Sequence, residues 1–216
     1  MGRYFVLFAA LSLFLFSSPG DVCALTINFD DLANAPTAFS QATALRNRYA
    51  PEVIFYGPDG LTGNDGGAIL NLNPPPLAPL SGLNALVFSD LTQAVMSDGG
   101  FPVWPETIIF NTLWVNVSIY VASTRTDMDH FSLIAFDGSG KQVVIDEVDT
   151  KNEWAQLSVS WADGIKSVVL TMDKKGNDAF AADNLELTTS RVVPEPGTML
   201  LLGLGVIGLG IMRRRI

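Results

Sequence analysis

The sequence has a single cysteine, Cys23, and a single histidine, His130. One cysteine excludes an intramolecular disulfide and any thiolate metal cluster. One histidine excludes a histidine-dependent metal centre and leaves His130 as the only imidazole available as a general base. Positive charge is also scarce, with 13 Lys and Arg against 22 Asp and Glu and a formal net charge of −9. Setting aside Asp21, Arg3 and Arg213 to Arg215 in the terminal segments, 21 acids face 9 bases, about −12 overall. That balance removes nucleic acid from the expected partners and suits a solvated, exported domain whose carboxylates attract divalent cations. There is no Gly-x-Ser-x-Gly elbow, no phosphate loop and no dinucleotide fingerprint, so nucleophilic and nucleotide chemistry have no starting point. No internal repeat of fixed period occurs, which excludes propellers and solenoids.

The ends of the chain carry the clearest signals. Arg3 precedes an apolar stretch from Tyr4 to Phe16, then Ser17-Ser18-Pro19-Gly20 and Val22-Cys23-Ala24. This order is that of a secretory signal peptide over residues 1–24, cut by signal peptidase after Ala24 and taking Cys23 with it. At the other end, Val193-Pro194-Glu195-Pro196-Gly197 leads into an uncharged run from Thr198 to Met212 and then Arg213, Arg214 and Arg215. The two prolines remove backbone donors and keep Pro194-Glu195-Pro196 extended and open to an enzyme. The apolar run is about 15 residues, roughly 23 Å as a helix, a short single span for a ~30 Å hydrocarbon core. The arginines stay on the cytoplasmic side, so everything before Pro194 faces away from the cytoplasm.

This tripartite ending closely resembles the PEP-CTERM sorting signal, in which an exosortase-type membrane protease-transpeptidase acts near the Pro-Glu-Pro. The resemblance implies an inner-membrane-anchored precursor later released to the cell surface or the exopolysaccharide matrix of a biofilm. Residues 192–216 form the sorting signal, leaving residues 25–191 as one domain.

Periodicity sets the fold class of that domain. Val115, Val117, Ile119 and Val121 alternate with Trp114, Asn116, Ser118 and Tyr120, a period of two that belongs to a half-buried strand. Similar strands are expected at 131–136, 142–147, 154–160, 165–172 and 180–187, with Ala162-Asp163-Gly164 as one of the turns. Shorter strands are expected at 25–32, 53–56, 68–72, 85–89 and 107–110, and one helix at Ala38 to Tyr49. Ten or eleven strands with abundant turns predict an all-β antiparallel sandwich of jelly-roll type. Ile27-Asn28-Phe29-Asp30-Asp31-Leu32 and Phe180-Ala181-Ala182-Asp183-Asn184-Leu185-Glu186-Leu187 are similar to the first and last strands of carbohydrate-binding-module and galactose-binding-like jelly rolls.

In such a fold the first and last strands lie side by side, which brings Asp30, Asp31 and Asp183 together. Two or three carboxylates there, with backbone carbonyls, would meet the oxygen ligands that Ca²⁺ takes, and the resemblance implies a structural Ca²⁺ at this place; the alternative is that Asp30 or Asp31 accepts backbone hydrogen bonds at a strand end and Asp183-Asn184 turns the chain. The loop from Asp59 to Gly66 bears side-chain oxygens but lacks the order of an EF-hand. For ligand contact, Trp104 is expected to be exposed between Pro102 and Pro105, and Trp114 and Tyr120 fall on the polar face of their strand, where sugar rings stack. With some twenty acids on the domain, chance carboxylate pairs at glycosidase spacing are expected and carry no signal. The domain therefore reads as a non-catalytic binding or structural module, with extracellular polysaccharide as its expected partner. A polysaccharide-modifying hydrolase and a ligand-free matrix protein are the alternatives.

Overall fold

The computed structural model describes residues 23–72, 78–91, 93–123, 128–173 and 179–189. The proposed signal peptide up to residue 22 and the sorting signal lie outside the described residues. Nine strands form: β1 (Ala24–Ile27), β2 (Val53–Tyr56), β3 (Ala68–Asn71), β4 (Asn84–Ser89), β5 (Glu106–Ser123), β6 (Asp129–Phe136), β7 (Gln142–Thr150), β8 (Ala155–Met172) and β9 (Ala179–Thr188). All pair antiparallel, and they form a single hydrogen-bonded set.

Two of these strands explain how one set makes two layers. β5 and β8 are each 18 residues long. Their mutual register shifts between Ile109 and Trp114 and again between Trp114 and Asn116. Before the shift, β5 pairs with β2 and with the second half of β8, which continues to β6 and β7. After it, β5 pairs with the first half of β8 and with β9, which continues to β4 and β1. Both strands thus leave one layer and enter the other, as corner strands do. The expected turn at Ala162-Asp163-Gly164 is not a turn but this bend within β8, and the expected separate strands at 107–110 and 115–121 are one strand. Gly164 makes the bend possible. Its φ is +98°, and a Cβ there would lie 2.6 Å from Leu113 Cβ on the facing strand.

Between the layers lies a core that includes Phe29, Phe55, Phe88, Phe110, Phe131 and Phe180, all essentially fully buried. Phe88 and Phe180 stack with ring centroids 4.4 Å apart, and Phe131 meets Phe180 edge-on at 5.2 Å. Burying each such ring contributes on the order of 2–3 kcal/mol, which replaces what disulfides supply in other exported domains. A second apolar cluster covers the outer face of the β3–β4–β9 layer, where Ala68, Ala85, Ala122 and Ala181 leave room for Ala42, Ala44 and Met96.

The helix expected at Ala38 to Tyr49 does not form; a single 3-10 turn at Phe39–Gln41 stands there. Unpaired sheet edges outcompete helical hydrogen bonds for this segment's backbone. Asn71 N–H donates to Pro36 O at 2.8 Å, Leu45 N–H to Gly67 O at 2.8 Å, and Phe55 N–H to Arg46 O at 3.0 Å. Accordingly Ala42 and Ala44 are buried while Gln41 and Thr43 are exposed, the period of an extended chain. The segment closes the β2 and β3 edges. β1 also ends earlier than residue 32, because Phe29 takes φ 61° and turns the chain into this segment.

Candidate functional site

β1 and β9 do lie side by side, with Ala24 opposite Thr188 and Ile27 opposite Leu185. Beyond Ile27 the turn at Phe29 swings Asp30 towards Asp183, and Ser81 stands between them. The Ser81 hydroxyl is 2.9 Å from Asn184 Oδ1 and 3.4 Å from both Asp30 Oδ2 and Asp183 Oδ2. Backbone donors converge on the same carboxylates. Ser81 N–H donates to Asp183 Oδ2 at 3.0 Å and Asn184 N–H to Asp183 Oδ1 at 2.7 Å, while Leu83 and Asn84 N–H donate to Asp30 Oδ1 at 2.9 and 3.1 Å. Gly82, at φ +51°, lets the loop pass so close that a Cβ would sit 2.0 Å from the Asp30 carboxylate. Burial, reinforced by the Asp30 charge, pushes Asp183 up to about 6 in spite of these donors. Asp31 does not join the group. It binds Arg48 Nε at 3.1 Å and accepts from Tyr49 Oη at 2.7 Å. Among the described residues no three acidic, His or Cys side chains are grouped as metal ligands would be.

The aromatic expectations divide. Trp104 is half-buried against the core, donating its indole N–H to Met172 O at 2.9 Å and meeting Phe180 edge-on at 5.4 Å. Trp114 is buried at 5% exposure, the reverse of its expected polar face. The register shifts on either side of it turn its side chain inward, together with Val117. Neither tryptophan offers an open face for stacking. Tyr120 keeps its outward position.

Tyr120 belongs to a polar surface spanning β1, β9, β5 and the first half of β8. Asn116 lies between Thr188 and Ser160, Ser118 between Glu186 and Ser158, and Tyr120 opposite Gln156, with Thr26 beside Glu186. Alternation puts all of these on the outer face, because Val117, Ile119, Leu157, Val159 and Leu187 between them are buried. The row at the Asn116 end is prearranged: Asn116 Nδ2 donates to Thr188 Oγ1 at 2.8 Å, and Ser160 Oγ donates to Asn116 Oδ1 at 2.7 Å. Hydroxyls and amides of fixed direction on the same face as an aromatic ring can receive a hydroxyl-rich chain that spans both.

A cleft of about 440 Å³ opens in the segment that closes the sheet edges. Arg46 and Arg48 line it. It went unseen in the sequence because 38–49 reads as a helix; the available signal was two of the domain's few basic residues standing two apart.

The remaining titratable groups have local roles. In the 59–66 loop Asp59 Oδ2 accepts from Asp65 N–H at 3.0 Å, and Asp65 Oδ1 accepts from Phe101 N–H at 2.8 Å, so these carboxylates fix turns. His130 is bonded to Asp149 at 2.7 Å, with Glu147 and Asp173 nearby, and this bond is the main cause that raises it. Glu106, buried where β5 begins, accepts from Gly67 N–H at 2.9 Å, and burial pushes it from 4.5 up to about 8.

Residues 192–215 match the PEP-CTERM protein-sorting motif. This covers Val193, Pro194, Glu195, Pro196, Arg213, Arg214 and Arg215, all outside the described residues. No curated protein matches the chain. Among solved structures, the chain is similar to the K2 cleaved adhesin domain of Lys-gingipain, with TM-score 0.50 and 13% identity over 78% of this chain and 99% of that one. The K1 cleaved adhesin domain of Lys-gingipain from Porphyromonas gingivalis W83 gives TM-score 0.48 and 13% identity over 78% and 99%. TmCBM61 in complex with β-1,4-galactotriose gives TM-score 0.43 and 14% identity over 66% and 90%. At these identities the likeness is one of fold.

Because the folded chain holds the Glu106 proton far more tightly than the unfolded chain, this group favours the fold fully below about pH 4.5, and that contribution is lost as pH rises through about 8. Glu106→Gln keeps an acceptor for Gly67 N–H and removes the ionisation. Thermal unfolding of the full-length chain between pH 4 and 9 is expected to show the variant gaining roughly 5 °C over the native chain at pH 9 while matching it near pH 5.

Proposed function

We propose that the protein is an exported, non-catalytic glycan-binding module delivered to the cell surface by its sorting signal, its ligand being an extracellular polysaccharide held on the outer face around Tyr120. The sorting half rests on the motif at 192–215, which implies processing by an exosortase-like enzyme. The binding half rests on the prearranged Asn116–Thr188–Ser160 row, which shares its face with Tyr120 four residues further along β5, about 13 Å away. Polar side chains already fixed by neighbours lose little rotamer freedom on meeting a sugar, and the tyrosine ring covers its apolar C–H face. The non-catalytic half of the reading rests on the character of this surface, an open sheet face of hydroxyls and amides, which suits holding a glycan.

A Ca²⁺ ion against Asp30 and Asp183 is a second proposal. What supports it is the mutual repulsion of the two carboxylates, which a divalent cation would relieve. Against it stand the four backbone N–H groups that already end on the same oxygens.

Three outcomes follow from these proposals. On immobilised neutral polysaccharides, Tyr120→Ala is expected to weaken binding by the full-length chain roughly tenfold with unchanged unfolding temperature, since a ring stacked on a sugar is worth about 1 kcal/mol or more; equal retention by variant and native chain rules this face out. Replacing Pro194-Glu195-Pro196 by three alanines is expected to leave uncleaved precursor in the inner membrane by immunoblot, and normal maturation would reduce the tail to a plain anchor. Thermal unfolding with millimolar Ca²⁺ against chelator is expected to show a rise of several degrees that Asp183→Asn abolishes; superimposable curves assign Asp30 and Asp183 to backbone acceptance alone.

A further inference from the structure

The cleft in the edge-closing segment is separate from the Tyr120 face and has its own chemistry. Its floor is apolar, from Leu32, Pro36, Leu45 and Ile69, and its rim carries Gln41, Thr43 and Asn47. Its volume, about 440 Å³, falls within the usual range for small-ligand sites, roughly 300–1,000 Å³. In a domain where acids outnumber bases more than two to one, the residues lining this cleft include two arginines and no carboxylate; Asp31, bonded to Arg48 from outside the lining, offsets one of the two charges and leaves that of Arg46. An anion repelled by the rest of the surface meets the opposite sign here.

The two arginines are prepared differently. Arg48 donates Nε to Asp31 Oδ2 at 3.1 Å and Nη2 to Asp31 O at 3.3 Å, and Tyr49 Oη steadies that carboxylate, so Arg48 is a neutralised, fixed donor. Arg46 instead donates Nη2 to Asn64 Oδ1 at 2.9 Å. Asn64 is itself held by its Nδ2–H bond to Asp98 O at 2.9 Å. A neutral amide orients the Arg46 guanidinium and leaves its charge in place. The backbone beneath the side chain is fixed as well: Arg46 sits at φ 40°, a left-handed conformation, and its carbonyl accepts from Phe55 N–H at 3.0 Å.

We propose that this cleft binds the carboxylate of a uronic-acid-type sugar in an acidic glycan, with Arg46 as the charge anchor and Arg48 as the second donor. A planar guanidinium matches a carboxylate with two parallel N–H bonds. The apolar floor receives the C–H face of the ring, and Gln41, Thr43 and Asn47 face its hydroxyls.

The test uses the full-length chain and three polymers: polygalacturonate, fully methyl-esterified polygalacturonate and poly-aspartate. Polygalacturonate is expected to bind, with affinity falling as salt is added, and the esterified polymer to bind at least tenfold more weakly. Arg46→Gln is expected to lower polygalacturonate affinity at least tenfold. Because Arg46 also holds the loop through Asn64, Thr43→Glu serves as a second variant. It places a like charge in the cleft without touching the arginine contacts and is expected to produce a similar loss at unchanged unfolding temperature. Equal binding of the esterified polymer, or full binding by both variants, overturns the proposal. Equal binding of poly-aspartate overturns the sugar assignment and leaves a general anion patch. No binding of polygalacturonate overturns the cleft proposal and leaves the Tyr120 face to its own test on neutral polysaccharides.

Discussion

The coordinated bend of β5 and β8 is the constraint from which the rest of the architecture follows. Each strand gives up regular pairing over a few residues, and in return each contributes to both layers of the sandwich. Gly164 and Leu113 meet at that corner at a distance no side chain on residue 164 could share. The bend closes the core around the buried phenylalanines without a disulfide. It also rotates Trp114 inward while leaving Asn116, Ser118 and Tyr120 outward, and so creates the polar face.

Closing a sandwich leaves edges, and those edges shape the second feature of the molecule. β2 and β3 have N–H groups without strand partners, and the segment from Pro36 to Tyr49 supplies the carbonyls. A segment held at many points by sheet edges cannot also be a helix. It runs irregularly, takes strained backbone at Arg46 and encloses a cleft. The hydrogen-bonding need of the sheet is thus the physical origin of this cleft, and Asn64 and Asp31 set the directions of its two arginines.

Much of the architecture was legible in the chain. The period of two at residues 114–121, the glycine-rich turns and the pairing of the first and last strands led to an antiparallel sandwich, and β2 matches its expected bounds residue for residue. What escaped depended on pairs distant in sequence. Ala162-Asp163-Gly164 has the composition of a turn, and only its packing against Leu113 makes it a bend within a strand. Trp104, flanked by prolines, reads as exposed, yet its indole reaches Met172 O across the sandwich. Asp30 and Asp183 are drawn together as the strand order requires, whereas Asp31, one residue away, is claimed by Arg48 and Tyr49.

The sequence by itself determined the class of the fold, the acidic balance and the presence of a protein-sorting motif, because periodicity, charge and the Pro-Glu-Pro, apolar and arginine order at 192–215 are local properties that the chain carries before it folds. Only the tertiary structure decided which side chains are presented and which are consumed. A bulge between Trp114 and Asn116 exchanges inside for outside, and unpaired sheet edges convert a helix-like segment into a cleft. Both are outcomes of hydrogen bonds between strands tens of residues apart, which no local pattern encodes.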